Sequence, residues 1–274
     1  MAVAISTPRE ATAPAPARSA ALRAVDILLL GYLGVVSVVA LARAPAQPES
    51  WWLLGAHGLF VLLLALVTRP GLGVVGQTLR EIYPLLLLGG LYAELDVLNA
   101  LGGVRVHDAL VQQWELAIFG GQISQQWSQA APSRLWSAVF HGAYFSYYLI
   151  VTLPAFYFVW RRDLAAVRHF VLTVMATFVL CYLVFIFFPV AGPYYEFPRP
   201  PAWFTDNFPA RLVYGTLAAG SSYGAAFPSS HVAATIAAAM AASRSSRRLG
   251  LALLVPTILL TIGVVYCQMH YGVD

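Results

Sequence analysis

The chain has 274 residues, of which 59% are hydrophobic and only 10% charged, with a mean hydropathy of +0.72. That balance excludes an ordinary soluble globular domain and reads as a polytopic membrane protein spent mostly on spans. The net charge of +4 comes from 16 basic residues, every one an arginine, against 12 acids; no nucleic-acid partner, metal or cofactor is expected.

Residues 1–22 are rich in Ala, Pro and Ser, carry Arg9 and Arg18, and read as a disordered tail. Seven apolar segments follow, at roughly 25–42, 51–68, 82–101, 135–160, 169–189, 227–243 and 249–270. Helices are the economical reading, because a chain in lipid must satisfy its own backbone hydrogen bonds. The expected fold is an all-α transmembrane bundle of about seven spans. Gly89-Gly90 and the alanine-rich 233–242 stretch suit close helix packing. Cys181 and Cys267 lie in apolar runs at no metal-like spacing and read as inert buried thiols. His57 reads as a hydrogen-bonder between helices.

Arginine placement orients the bundle. The N-terminus and the connections after the second, fourth and sixth segments hold eleven (Arg9, Arg18, Arg23, Arg69, Arg80, Arg161, Arg162, Arg168, Arg244, Arg247, Arg248); the other connections hold five (Arg43, Arg105, Arg134, Arg199, Arg211). The positive-inside rule then puts the N-terminus in the cytoplasm. Arg199, His231 and His270 all fall on the opposite, extracytoplasmic face.

The first large outer connection, 102–134, contains Leu110, Val111, Trp114, Ala117 and Ile118 on one helical face. Asp108, Gln112, Gln113 and Glu115 lie off it. An interfacial helix is expected there, with Trp114, Trp127 and Trp136 at headgroup level. Glu94, Asp96, Asp108 and Glu115 are candidates for contact with a polyol headgroup, as is Tyr144 in the fourth segment, although solvated acids and aromatic packing are the simpler readings. The second connection, 190–226, is rich in Pro, Gly and aromatics and reads as a lid over substrate.

The chemistry concentrates at the end of the chain. Phe227-Pro228-Ser229-Ser230-His231 opens one apolar segment, and His270-Tyr271-Gly272-Val273-Asp274 closes the last. A carboxylate four residues after a histidine on a helix can orient the imidazole and fix its tautomer. A Ser-Ser turn opening a helix offers backbone N–H groups to a phosphate, and its histidine can donate a proton. Ser229 and Ser230 would thus cradle a phosphate, with Arg199 as its cation and Arg211 as a second choice. These parts suit phosphoryl transfer through a phosphohistidine at His270, oriented by Asp274, with His231 protonating the leaving group. A transporter or channel using His231, His270 and Asp274 as a proton relay is the alternative from another class. A metal-dependent hydrolase ranks below both.

Pro228-Ser229-Ser230-His231 and the run from His270 to Asp274 resemble the second and third signature motifs of the phosphatidic acid phosphatase type 2 superfamily. The branch most similar is that of inositol phosphorylceramide synthase and its bacterial relatives. Its cues are Phe227, the His270-Tyr271 pair, the run from Asp108 through Glu115 to Phe119-Gly120-Gly121, and the Tyr144–Tyr148 stretch. The resemblance covers residues 80–274, which makes 81–274 the catalytic core and 23–80 two additional spans. It implies an enzyme of a bacterial plasma membrane that cleaves or transfers lipid phosphate esters without a metal. Gly192 stands where the first motif has lysine, six residues before Arg199-Pro200, and Val264 where the third has arginine. The superfamily continues past its third motif into one more helix. An eighth span is therefore expected after Asp274, and a chain ending there is expected to hold His270 loosely.

Overall fold

The computed structural model describes residues 22–69, 71–99 and 103–274. The disordered tail read from 1–22 lies, except for Leu22, outside them. Among the described residues the chain is helical with no strand; only a single parallel bridge joins Val190 to Ala225.

The first two spans are α1 (Ala24–Arg43) and α2 (Ser50–Val67), packed together as a hairpin. Helix α3 (Val74–Leu98) begins eight residues before the expected start of the third segment. Arg80 and Glu81 belong to it because their charges are matched by neighbours: Arg80 lies 3.5 Å from Asp26, and Glu81 pairs with Arg23 and Arg168. Gly90 of α3 faces the Phe60 ring of α2, where a Cβ would come within 2.9 Å. His57 meets Ser37 at 2.7 Å and Glu94 at 3.3 Å, which joins α1, α2 and α3 in the bundle interior.

Two helices occupy the first outer connection, α4 (Asp108–Phe119) and α5 (Ile123–Ala130). The fourth segment is broken. Helices α6 (Arg134–Phe145) and α7 (Tyr147–Trp160) meet at 40° around Ser146, whose hydroxyl bonds back to the Ala143 carbonyl at 2.6 Å, a contact that bends helices. Helix α8 (Leu164–Phe187) forms the spine of the core through Phe170, Val174, Met175, Phe178 and Phe185. The second outer connection folds into α9 (Pro193–Glu196), α10 (Ala202–Thr205) and α11 (Phe208–Gly220), the last packed against α6.

Helix α12 (Ser230–Ser245) sits between α8 and α13 (Arg247–Tyr266). Its face of Ala234, Ala238, Ala241 and Ala242 is buried, and these small side chains let the neighbouring backbones approach. Among the described helices, four are long and apolar enough to cross a membrane: α1, α2, α8 and α13. The bent α6–α7 pair makes five. Of the seven expected spans the other two differ for physical reasons: α3 carries four charged residues, and α12 has only 16 residues.

Candidate active site

The turn before α12 is built by pairing two connections. Val190 N–H donates to the Gly224 carbonyl at 3.1 Å, and Ala226 N–H to the Val190 carbonyl at 2.9 Å. This brings residues 190–192 alongside 224–226. Ser229 then caps α12, its hydroxyl accepting from Val232 N–H at 3.4 Å, as the Ser-Ser turn implied. His231 lies in the first turn, between the rings of Tyr144 and Tyr147 at 4.7 and 4.4 Å. Its Nδ1 is buried with no hydrogen-bond partner among the described residues.

The helical spacing expected for His270 and Asp274 is not how the structure joins them. Helix α13 stops at Tyr266. Met269 N–H bonds the Val264 carbonyl at 2.8 Å and Gln268 N–H the Val265 carbonyl at 3.0 Å, with Gln268 left-handed at φ 60°, a Schellman termination. Gln268 is held there by its amide, which donates to the Pro198 carbonyl at 3.0 Å. The chain leaves the helix, and a turn over 271–274 brings the carboxylate back: Asp274 Oδ2 accepts from Tyr271 N–H at 3.1 Å and lies 3.0 Å from His270 Nδ1.

The same Nδ1 is 2.8 Å from the carbonyl oxygen of Ala226. A carbonyl can only accept, so Nδ1 carries the proton and Nε2 of the neutral ring keeps its lone pair. The ring centroids of His270 and His231 are 5.8 Å apart. Burial pushes the Asp274 carboxyl above the usual aspartate range, against the opposing pull of its bond to His270.

Helix α4 holds this arrangement from below, its apolar face outward as an interfacial helix requires, except that Val111 turns inward. Its buried residues are Asp108, Val111 and Glu115, while Leu110, Trp114 and Ile118 are exposed. Asp108 and Glu115 are therefore turned away from any headgroup. Asp108 accepts from the N–H groups of Ala191 and Gly192, both at 2.7 Å, and from the Tyr271 hydroxyl at 2.8 Å. Glu115 accepts from Gly272 N–H at 3.0 Å and from Ser124 N–H and hydroxyl at 3.0 and 3.1 Å. These bonds replace water for two buried carboxylates. They also tie both sides of the His270 segment to one rigid element. Glu94 and Asp96 are likewise engaged by protein groups, His57 and the Tyr223 N–H.

Beside the histidines lies a recess lined by His231, His270, Tyr92, Tyr144 and Tyr194. It adjoins a larger chamber of about 320 Å³ between α3, α7 and α11. Tyr92, Tyr144, Ser221 and His231 border both spaces; Ser230 lines the larger one, with apolar walls from Leu85, Leu88, Val151 and Leu217. Tyr144, a headgroup candidate from sequence, borders both spaces, and Tyr147 lines the larger one beside it. The expected lid contributes α11 as a wall of the chamber.

The arginines sit apart. Arg199 lies over the Tyr194 ring with Cζ 3.5 Å from its centre. Together with Arg211 it lines a neighbouring cavity of about 290 Å³. Arg211 is exposed and paired with Asp206 at 3.2 Å. Neither lines the histidine recess, although Tyr194 connects Arg199 to it. Gly192 shows why the lysine position is empty of charge. Its φ is +91° and a Cβ there would meet Ala226 Cβ at 2.6 Å, so no side chain fits. Val264, at the arginine position, is buried and spends its carbonyl on ending α13.

Sequence reasoning missed the Ala226 carbonyl and the inward carboxylates. The first has no side-chain signal. The second was visible only as the seven-residue spacing of Asp108 and Glu115, which places them on one face with Val111.

No curated protein and no solved structure matches the chain. The family model of the PAP2 superfamily does, over residues 109–274. That span is more than half of the chain and takes in both histidine segments and nearly all of the helix that clamps them, so the chain belongs to the PAP2 superfamily, membrane proteins with phosphatase-type activity on lipid phosphates.

Proposed function

We propose that this protein cleaves a membrane lipid phosphate through a phosphohistidine at His270. The observation that carries the reading is the pinned Nδ1: two acceptors, Ala226 O and Asp274, leave Nε2 as the reactive atom beside His231. In the first step Nε2 bonds to phosphorus as the phosphorus–oxygen bond to the leaving group breaks, and His231 gives that oxygen its proton. In the second, water or an acceptor hydroxyl attacks phosphorus, its proton returns to His231, and His270 is released. The Ser229-Ser230 turn and Arg199 would hold the phosphoryl oxygens, and the apolar chamber suits the lipid's hydrocarbon. Water as acceptor makes a phosphatase; a polyol such as inositol makes a headgroup transferase, which the resemblance of the His270-Tyr271 segment favours.

The test is purified protein incubated with labelled phospholipids and isoprenoid phosphates, with and without inositol. Release of phosphate or a transferred headgroup, blocked by vanadate and insensitive to EDTA, is expected. Loss of turnover on chelation would replace the phosphohistidine with metal chemistry.

A pH dependence follows from Asp274. Its carboxyl is held above the ordinary aspartate range, near 3.9, so acidification removes its charge earlier than for a free side chain. The acid limb of kcat/KM should therefore fall above pH ~4. Asp274→Asn should lower the plateau and abolish that limb. An unchanged limb in this variant would assign it to another group.

The eleven-to-five arginine split supports an extracytoplasmic site. A cysteine introduced at residues 200–210 should react with an impermeant thiol reagent in intact cells, and one at 245–247 should not. The reverse pattern would turn the bundle over.

A further inference from the structure

At the end of the bundle remote from the histidines, the starts of α1, α3 and α8 enclose a second charged cavity of about 220 Å³, lined by Arg23, Arg80, Glu81, Arg168, Val171 and Leu172. Arg43, at the other end of α1, donates to the carbonyls of Leu98 and Ile186, so all three helices run in the same direction. From Arg168 to the end of α8 is about 28 Å of helix, so this cavity is separate from the active site.

Its charges are layered. Glu81 lies beneath, 3% exposed, and receives Arg23 at 2.8 Å and Arg168 through two nitrogens at 2.9 and 3.0 Å. Asp26, 1% exposed, takes the Tyr83 hydroxyl at 2.5 Å and faces Arg80 at 3.5 Å. The side chains of Arg23 and Arg168 are 23% and 50% exposed. Three cations therefore surround two sunken carboxylates, and Arg80 and Arg168 both oppose the charge of Arg23. Among the described residues Arg168 engages Glu81 through Nε and Nη2, with its Nη1 turned to neither carboxylate oxygen. Beside this cationic rim, Val25, Val171 and Leu172 give the cavity an apolar wall.

We infer that this cavity binds the headgroup of an anionic phospholipid in the leaflet opposite the histidines. The sunken carboxylates hold the arginine forks in place, the phosphate accepts from the outward N–H groups of Arg23 and Arg168, and the acyl chains follow the apolar wall. A free phosphate would use the same cations but not the wall. The site is independent of the reaction at His270.

The test uses full-length protein in detergent carrying His270→Ala, so that added lipid is not consumed. Its thermal unfolding midpoint is followed against dioctanoyl phosphatidylglycerol, dioctanoyl phosphatidylcholine and inorganic phosphate. Phosphatidylglycerol should raise the midpoint saturably, well beyond the other two. Adding Arg168→Gln, which leaves the Arg23–Glu81 pair to neutralise the buried acid, should raise the half-saturating concentration about tenfold or more. Leu172→Trp, which fills the cavity without touching a charge, should do the same. Equal half-saturation in the parent and both variants would overturn the site, as would an equal response to phosphatidylcholine. An equal response to inorganic phosphate would overturn its assignment to a lipid.

Discussion

Replacing His270 by alanine is expected to abolish covalent phosphoenzyme and to reduce turnover by roughly 10⁴-fold or more, the scale on which loss of a nucleophile is felt. The expectation rests on the ring's fixed tautomer. With Nδ1 committed to Ala226 O and Asp274, no other nitrogen beside the recess, among the described residues, combines a lone pair with an orienting carboxylate. His231→Ala should behave differently. Removing a proton donor costs roughly 10²–10⁴-fold when the leaving group is an alkoxide. It should cost little when the leaving group is a nitrophenolate, which departs unprotonated. Protein labelled from a nitrophenyl phosphate and quenched in alkaline denaturant, where a phosphohistidine survives, should thus retain label in His231→Ala and lack it in His270→Ala. Equal loss in both variants with both substrates would mean that the two rings do not divide the work. The 5.8 Å between their centroids puts both rings beside the same recess.

Much of this was legible before the fold was known, for identifiable reasons. The apolar stretches announce themselves because lipid demands long runs of one character, and α1, α2 and α8 begin and end within a few residues of where composition places them. The Ser-Ser turn caps α12 as its residue types dictate. The failures are of another kind. Helix α3 extends through Arg80 and Glu81 because Arg23, Asp26 and Arg168, distant in sequence, neutralise them. The His270–Asp274 pair looked helical by spacing, yet it is closed by a turn, since the Schellman bonds to Val264 and Val265 end α13 four residues before His270. Helix α4 keeps Leu110, Trp114 and Ile118 outward as its apolar pattern implies. The pattern could not show that the interior takes the acids because backbone donors await them. Those donors, at Ala191, Gly192 and Gly272, come from segments 83 to 157 residues away in sequence.

Asp108→Ala is expected to be the most damaging change outside the two histidines. It strands three buried donors at once, the Ala191 and Gly192 N–H groups and the Tyr271 hydroxyl. At about 1–3 kcal/mol for each unsatisfied group, a loss of roughly 3 kcal/mol or more of stability should follow. Asp108→Asn keeps the shape and one acceptor but turns an amide N–H toward donors, so it should rescue only part of the loss. The catalytic consequence travels by two routes. Tyr271 adjoins His270 in sequence, and Gly192 packs against Ala226, whose carbonyl holds Nδ1. A displacement of about 1 Å at a reacting atom costs roughly 10²-fold, so kcat should fall by about that factor while KM moves little. Tyr271→Phe removes one of the three bonds and should give a smaller drop of the same kind. Unfolding midpoints together with kcat and KM for the three variants decide the matter. A rise in KM with kcat intact would mean that Asp108 touches the headgroup after all, and full stability in Asp108→Ala would mean that α4 does not clamp the site.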